Sequence, residues 1–373
     1  MIYDMTAPCS FGLEKALKFE ISRAGGTDIN VRDGRVDFRG DDRVLAAANI
    51  TSRTAERVGI VLGRFTAQTL DDVVENCRRI PIEGFSGRED ALHILQGHSL
   101  NSTLTSLPAI QKRIKIGLVS RMQEKYHLGR LPETGTELRI SFLLLKNEMT
   151  VTLDTTGASL HKRGYRALSN AAPIKETLAA GLADLAFVRA SDTVIDPFCG
   201  SGTILIESAL KAANKAPGLD RSFIGQSLPF TDKRAWAEAF EQARSEIKTE
   251  CGFEAFGYDI DPAAVKLAAE NAKKAGVDGM IKFAVRDIKD FHYPSVPAKV
   301  ITNPPYGERM GTSDEIKELY RTMGKVLLPR VDSSVYVITS ADDFEELFGE
   351  KAKRTRKLYN GMLMCRLYSF CDR

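Results

Sequence analysis

From about residue 170 the chain alternates helix-like and strand-like runs, and this rhythm limits its possible folds more than any other feature. APIKETLAAGLADLA reads as a helix with Pro173 in its first turn, DTVIDPF as a strand and CGSGTILIESALKAANKA as a helix. AFGYDID is a strand, PAAVKLAAENAKKAG a helix opened by proline, and IKFAVRD and AKVITNPPY are strands. SDEIKELYRTMGKVLL is then a helix and SSVYVITS a strand. The expected fold class is α/β, with a doubly wound, mostly parallel sheet whose ligands sit outside the carboxyl ends of the strands. The end differs: RTRKLYNGMLMCRLYSF sets Asn360-Gly361 between two alternating runs, so the sheet should finish in an antiparallel hairpin.

The strand ends carry the chemistry. In VIDPFCGSGTILIE, Gly200 and Gly202 let the backbone approach a ligand, and the following helix offers free N–H groups. GSGTI lacks the lysine of a phosphate-binding P-loop, and Leu205 stands where a dinucleotide fingerprint needs its third glycine. The acid before the loop, Asp196, repels phosphate but suits a cationic amino group or sulfonium. GYDID places Asp259 where this fold hydrogen-bonds ribose hydroxyls, whereas Asp261-Pro262 reads as the N-cap and first residue of the next helix. Asp259 lies farther from the glycine loop than usual, so residues of roughly 211–250, with Trp236 among them, form an insertion. VRDIKDF ends the third strand with Asp287-Ile288, placed to meet an adenine edge and face. In VITNPPYGERMG, Asn303 and the backbone carbonyls are acceptors, and Pro304 and Pro305 remove competing donors. A rigid arc of acceptors suits an exocyclic amine, and Tyr306 can stack on a planar base.

The first part of the chain reads differently. IYDMTA, FGLEKALKFEISRAGG, DINVRDGRVDFRG, DDRVLAAANITSRT and ERVGIVLGRF follow the β-α-β-β-α-β order of a ferredoxin-like unit, expected over residues 1–65. A second unit, expected over 66–155, adds the helix TLDDVVENCRRI, the strand ALHILQGHS, a long helix to about His127, and two strands around Lys146-Asn147-Glu148. Residues 156–373 then form the third domain. Residues 91–130 hold six Lys/Arg against one acid, and Lys162, Arg163 and Arg166 follow without acids nearby, the kind of basic footprint that polyanion binders carry.

Other classes find little support. Hydrophobic residues make up 43% and charged residues 27%, as in ordinary globular proteins, and no apolar run is long enough to span a bilayer. The N-terminus lacks the basic and apolar regions of a signal peptide. The six cysteines contain no CxxC pair and the five histidines no HExxH, so no metal site is expected. A cytoplasmic, reduced protein fits.

DPFCGSG, GYDID, VRDI and NPPYGER resemble the motifs of class I S-adenosylmethionine-dependent amino-methyltransferases. LHKRGYR followed by APIKETLAA is similar, more specifically, to the THUMP-domain guanine-N2 methyltransferases of ribosomal and transfer RNA. The resemblance covers nearly the whole chain. It implies a Rossmann-like methyltransferase sheet preceded by ferredoxin-like and THUMP domains, with S-adenosylmethionine as cofactor and RNA as partner, and it implies no obligate protein partner. Carried over by position, Asp196, Phe198, Gly200, Ser201 and Gly202 surround the amino-acid end of the cofactor. Asp259 takes the ribose, and Ile260, Asp287 and Ile288 meet the adenine. Thr177 touches the methionine end, and Asn303, Pro304 and Tyr306 hold the target base. Lys112, Arg113, Lys115, Lys125, Arg130, Lys162, Arg163 and Arg166 contact RNA. Cys199, in the cofactor loop, is read as structural. The expected activity is methylation of a guanine N2 amine in 23S rRNA. A tRNA guanine or the N6 amine of adenine in nucleic acid are the alternatives.

Overall fold

The computed structural model describes residues 1–166, 174–306, 313–328 and 333–371. The six-element order expected at the start of the chain is present. It comprises β1 (Tyr3–Pro8), α1 (Glu14–Arg23), β2 (Thr27–Arg32), β3 (Arg35–Gly40), α2 (Asp42–Thr51) and β4 (Gly59–Thr66). The Asp33-Gly34 turn joins β2 to β3, and the Asp41 carboxylate opens α2 by accepting from the Arg43 and Val44 amides. Next come α3 (Leu70–Arg79), β5 (Ala91–Ile94), β6 (His98–Leu100), α4 (Leu107–Tyr126), β7 (Glu137–Leu145) and β8 (Glu148–Asp154).

Two features were not foreseen. β4 pairs with β8 along its length, giving one sheet ordered β2-β3-β1-β4-β8-β7-β5, with β6 also on β7. The line drawn at residue 65 thus crosses a continuous sheet. The run ALHILQGHS forms two strands because Ile94 faces Ile140 but His98 faces Leu143, so one extra residue bulges out between them.

The second sheet has the doubly wound form. Its elements are α5 (Glu176–Leu185), β9 (Thr193–Asp196), α6 (Thr203–Ala212), α7 (Lys233–Ser245), β10 (Glu254–Asp259), α8 (Pro262–Ala275) and β11 (Ile281–Val285). They continue with β12 (Lys299–Thr302), α9 (Ser313–Leu327), β13 (Ser334–Thr339), α10 (Phe344–Phe348), β14 (Arg354–Asn360) and β15 (Leu363–Ser369). The order is β11-β10-β9-β12-β13-β15-β14; β9 to β13 are parallel and β15 is antiparallel to both neighbours. Strand order reverses between β9 and β12, which opens a crevice there. Pro173, expected in the first turn of α5, lies outside the described residues.

The insertion joins the two sheets. α7 packs on α2, and Trp236, 1% exposed, lies against Phe223 with centroids 5.5 Å apart. Gly218 N donates to Ile50 O and Gly225 N to Thr155 O. Among the described residues no helix is long and apolar enough to cross a membrane.

Candidate active site

β9 delivers Asp196 to the crevice, where it is 1% exposed. Its Oδ1 accepts from Thr302 Oγ1 at 2.7 Å, across the switch point, and from Phe198 N at 3.1 Å. Burial, with Asp259 nearby, pushes the carboxyl up to about 7 against those two hydrogen bonds. A buried acid held this way gains from a cationic ligand. The glycine loop then turns into α6 through Gly202 at φ +79, where a Cβ would stand 3.1 Å from Ala268 Cβ and 3.2 Å from the Phe283 ring. Only glycine lets the loop lie this close to α8 and β11.

β10 delivers Asp259. Gly200 N donates to its Oδ2 at 2.9 Å and Asp261 N to its Oδ1 at 3.0 Å, so the loop and the carboxylate orient each other. Asp261 caps α8 through Ala263 N, as expected. Asp287 accepts from Lys289 N, and Ile288 is buried while Ile260 is 63% exposed. These strand ends enclose a cavity of about 720 Å³ whose lining includes Asp196, Phe198, Gly200, Ser201, Asp259, Ile260, Asp287 and Ile288. Asn303, Pro304 and Tyr306 line it too. A second cavity of about 690 Å³ lies between α1, α2 and α7; there Lys211 pairs with Asp184, and Glu20 accepts from the Arg53 and Thr54 backbone amides and from Thr54 Oγ1.

The NPPY corner is held from behind. Asn303 Oδ1 is buried and accepts no hydrogen bond from the described residues. The Pro305 carbonyl accepts from Tyr320 Oη at 3.1 Å, and the Tyr306 hydroxyl accepts from Asn360 Nδ2 at 3.2 Å. Tyr306 is thus half-buried against the hairpin, not free-standing. Gly307, Glu308 and Arg309 of the same motif lie outside the described residues.

Several expectations need correction. Thr177 is fully buried and donates to Glu56 Oε1 at 2.8 Å, in the contact between the two sheets; Ile174, not Thr177, lines the cavity. Arg163 is buried, donating to the Leu160 and Arg53 carbonyls with its Nε 3.6 Å from Glu207, so it cannot reach RNA. Arg166 is tied to Ile174 O, Glu176 and Thr203 Oγ1 and so joins the start of α5 to the start of α6. Lys112, Lys125, Arg130 and Lys162 are exposed, Arg113 is half-buried, and Lys115 pairs with Glu133 at 2.9 Å. Burial pushes the Cys199 thiol far above its ordinary value, which keeps it from acting as a nucleophile. Sequence reasoning missed Thr302, Tyr320 and Asn360. Thr302 sits one residue before Asn303 and was within reach; Asn360 was read only as a turn residue.

A parallel sheet closed by an antiparallel hairpin, with acids ending successive strands around one cavity, is the architecture of class I methyltransferases. Residues 163–369 match the family model described as RMKL-like, methyltransferase domain, and residues 4–59 match the RlmL ferredoxin-like domain. The chain belongs to this RMKL-like methyltransferase family. It is 36% identical over 372 residues to YpsC of Bacillus subtilis, named as a candidate RNA methyltransferase, covering 99% of this chain and 96% of that one. It is 31% identical over 375 residues to the ribosomal RNA large subunit methyltransferase K/L of Desulfotalea psychrophila, covering 98% of this chain but 52% of that protein. The chain thus spans about half the length of its K/L relatives. Among solved structures, SMU.472, a methyltransferase by name complexed with SAH, is 33% identical with TM-score 0.93 over 100% of this chain and 98% of its own. A Listeria monocytogenes protein named as an N6-adenine-specific DNA methylase is 39% identical with TM-score 0.91, covering 100% of this chain and 97% of that one.

Proposed function

We propose that the chain is a S-adenosylmethionine-dependent RNA methyltransferase acting on the N2 amine of a guanine, in large-subunit ribosomal RNA. The observation that carries the amine is Asn303 Oδ1, a buried acceptor at the edge of the cavity that receives no hydrogen bond among the described residues. The cavity fits the cofactor: a buried acid for its cationic end, Asp259 for hydroxyls, and Ile260 and Ile288 for an apolar ring. When bound, S-adenosylmethionine supplies an electrophilic methyl group. Asp196 would orient the cationic end toward β12. Asn303 Oδ1 and the Pro304 carbonyl would accept the amine hydrogens, draw the nitrogen lone pair out of conjugation and share the positive charge that develops. The proton leaves after nitrogen is charged, so no strong base is needed beforehand. Tyr306, braced by Asn360, would stack on a base drawn out of its helix. Alignment of this kind supplies of order 7–11 kcal/mol in favourable cases.

Residues 1–65 and 66–155 would act as a ferredoxin-like and a THUMP domain presenting RNA to residues 156–373, with Lys112, Arg113, Lys125 and Arg130 on phosphates. Ribosomal RNA is supported by the name of the K/L relatives, and adenine N6 in DNA by the name of the Listeria relative. Labelled S-adenosylmethionine offered with separate rRNA, tRNA and DNA, followed by identification of the methylated nucleoside, separates these. N2-methylguanosine in rRNA is expected, and N6-methyladenine in DNA would overturn the reading. An Asn303→Ala enzyme should bind cofactor normally yet turn over at least a hundredfold more slowly, about the effect of losing one transition-state acceptor.

A further inference from the structure

β15 pairs with β13 only from Ser369 opposite Tyr336 to Arg366 opposite Thr339, whereas β14 and β15 stay paired out to Asn360 opposite Leu363. The hairpin tip therefore stands beyond the end of β13, on the same sheet edge as Asn303 and the cavity. Its apolar residues face solvent: Met362 is 98% exposed and Leu363 41%. On the opposite face of the hairpin Phe11, 42% exposed, meets the Tyr359 ring edge-on at 5.9 Å, and Lys357 Nζ lies 5.5 Å from the centroid of that ring. Single exposed apolar side chains are ordinary, but a projecting turn with Met362 almost wholly in solvent and apolar or aromatic groups on both faces is not.

The tip is held firmly. Arg356 Nη1 donates to Gly12 O at 3.0 Å, and Gly12, at φ +94, lies so close that a Cβ would stand 2.4 Å from Lys357 O. The nearby Glu14 carboxylate is occupied by the Gly12 and Gly34 amides. On the inner side Asn360 holds the Tyr306 hydroxyl. The stem from Lys351 to Lys357 carries five Lys/Arg and no acid. Apolar and aromatic groups for bases, cations for phosphates and a position at the cavity mouth together match a single strand of nucleic acid.

We propose that this tip packs against the nucleotides flanking the target base. Met362 fills space left when the base is drawn from its stack, and Arg356 and Lys357 meet neighbouring phosphates. The proposal rests on the RNA reading above. The test uses the full chain and protein-free large-subunit rRNA from cells lacking the enzyme. Steady-state methylation and SAH calorimetry are compared for wild type, Met362→Asp and Met362→Leu. Because Met362 touches solvent on nearly all sides, neither variant should disturb folding. Met362→Asp should raise KM for RNA by about tenfold, Met362→Leu should stay near wild type, and SAH affinity should hold in both. An unchanged RNA KM in Met362→Asp beside an active wild type overturns the proposal alone, as does loss of SAH binding. A wild type inactive on this rRNA overturns the proposal and the large-subunit rRNA reading together.

Discussion

Asp196 couples the cavity to pH. Its carboxyl is pushed up to about 7 by burial, so the folded protein holds this proton more tightly than the unfolded chain does. The sign follows: the group's contribution to stability is complete below the ordinary aspartate range and is lost as pH rises through about 7. A cationic ligand reverses the preference, because it attracts the carboxylate. SAH affinity should therefore strengthen about tenfold from pH 6 to pH 8, as the ionised fraction rises. Asp196→Asn should bind weakly with a flat profile, and an equally steep profile in that variant would rule out Asp196 as the group responsible. This acid was legible in the sequence because it ends a strand and precedes a glycine loop, a purely local pattern. Thr177 and Arg163 were misread for the opposite reason: their side chains are committed to partners far along the chain, Glu56 and Glu207, while Arg166 is held by Ile174 O and Glu176 in the next element. Nothing adjacent to them in sequence says which way they point.

At the scale of elements, the loop between β9 and α6 depends on close approach as much as on hydrogen bonding. Gly202→Ala would place a methyl in a left-handed position against Ala268 and Phe283. It should cost about 1–2 kcal/mol of stability and weaken SAH binding together with it, measured by denaturant unfolding and calorimetry. Unchanged affinity would show that the loop's distance from α8 does not matter to the ligand. The strand–helix rhythm of this sheet was readable because each element follows its own hydrophobic period, and the β2–β3 and β14–β15 hairpins because Asp-Gly and Asn-Gly mark tight turns. The β5–β6 bulge was not readable, since it is set by the register with β7. Nor was the five-residue α10, too short to show a period. The insertion could be located by its excess length alone, but its packing on α2 needed the structure.

Across the whole molecule, the basic residues fall into two populations. Arg53 and Arg163 lie between the sheets: Arg53 Nη2 reaches the Leu210 and Lys215 carbonyls, and Arg163 sits beside Glu207, which also accepts from Tyr165 Oη at 2.9 Å. Removing one partner of a buried pair strands the other charge. Arg163→Ala should therefore destabilise the protein by about 3–5 kcal/mol, lowering the unfolding midpoint whatever the RNA present. Lys112, Lys125 and Arg130 are exposed and make no ion pair among the described residues. A triple alanine variant of these should keep its midpoint but lose RNA affinity, with a salt dependence shallower by about 2–3 in log–log slope. The two effects must separate if the N-terminal sheet presents RNA on one face and is clamped to the catalytic sheet by the other. A triple variant with normal RNA affinity and salt slope would remove α4 from the RNA path and leave the substrate to the cavity mouth and the hairpin.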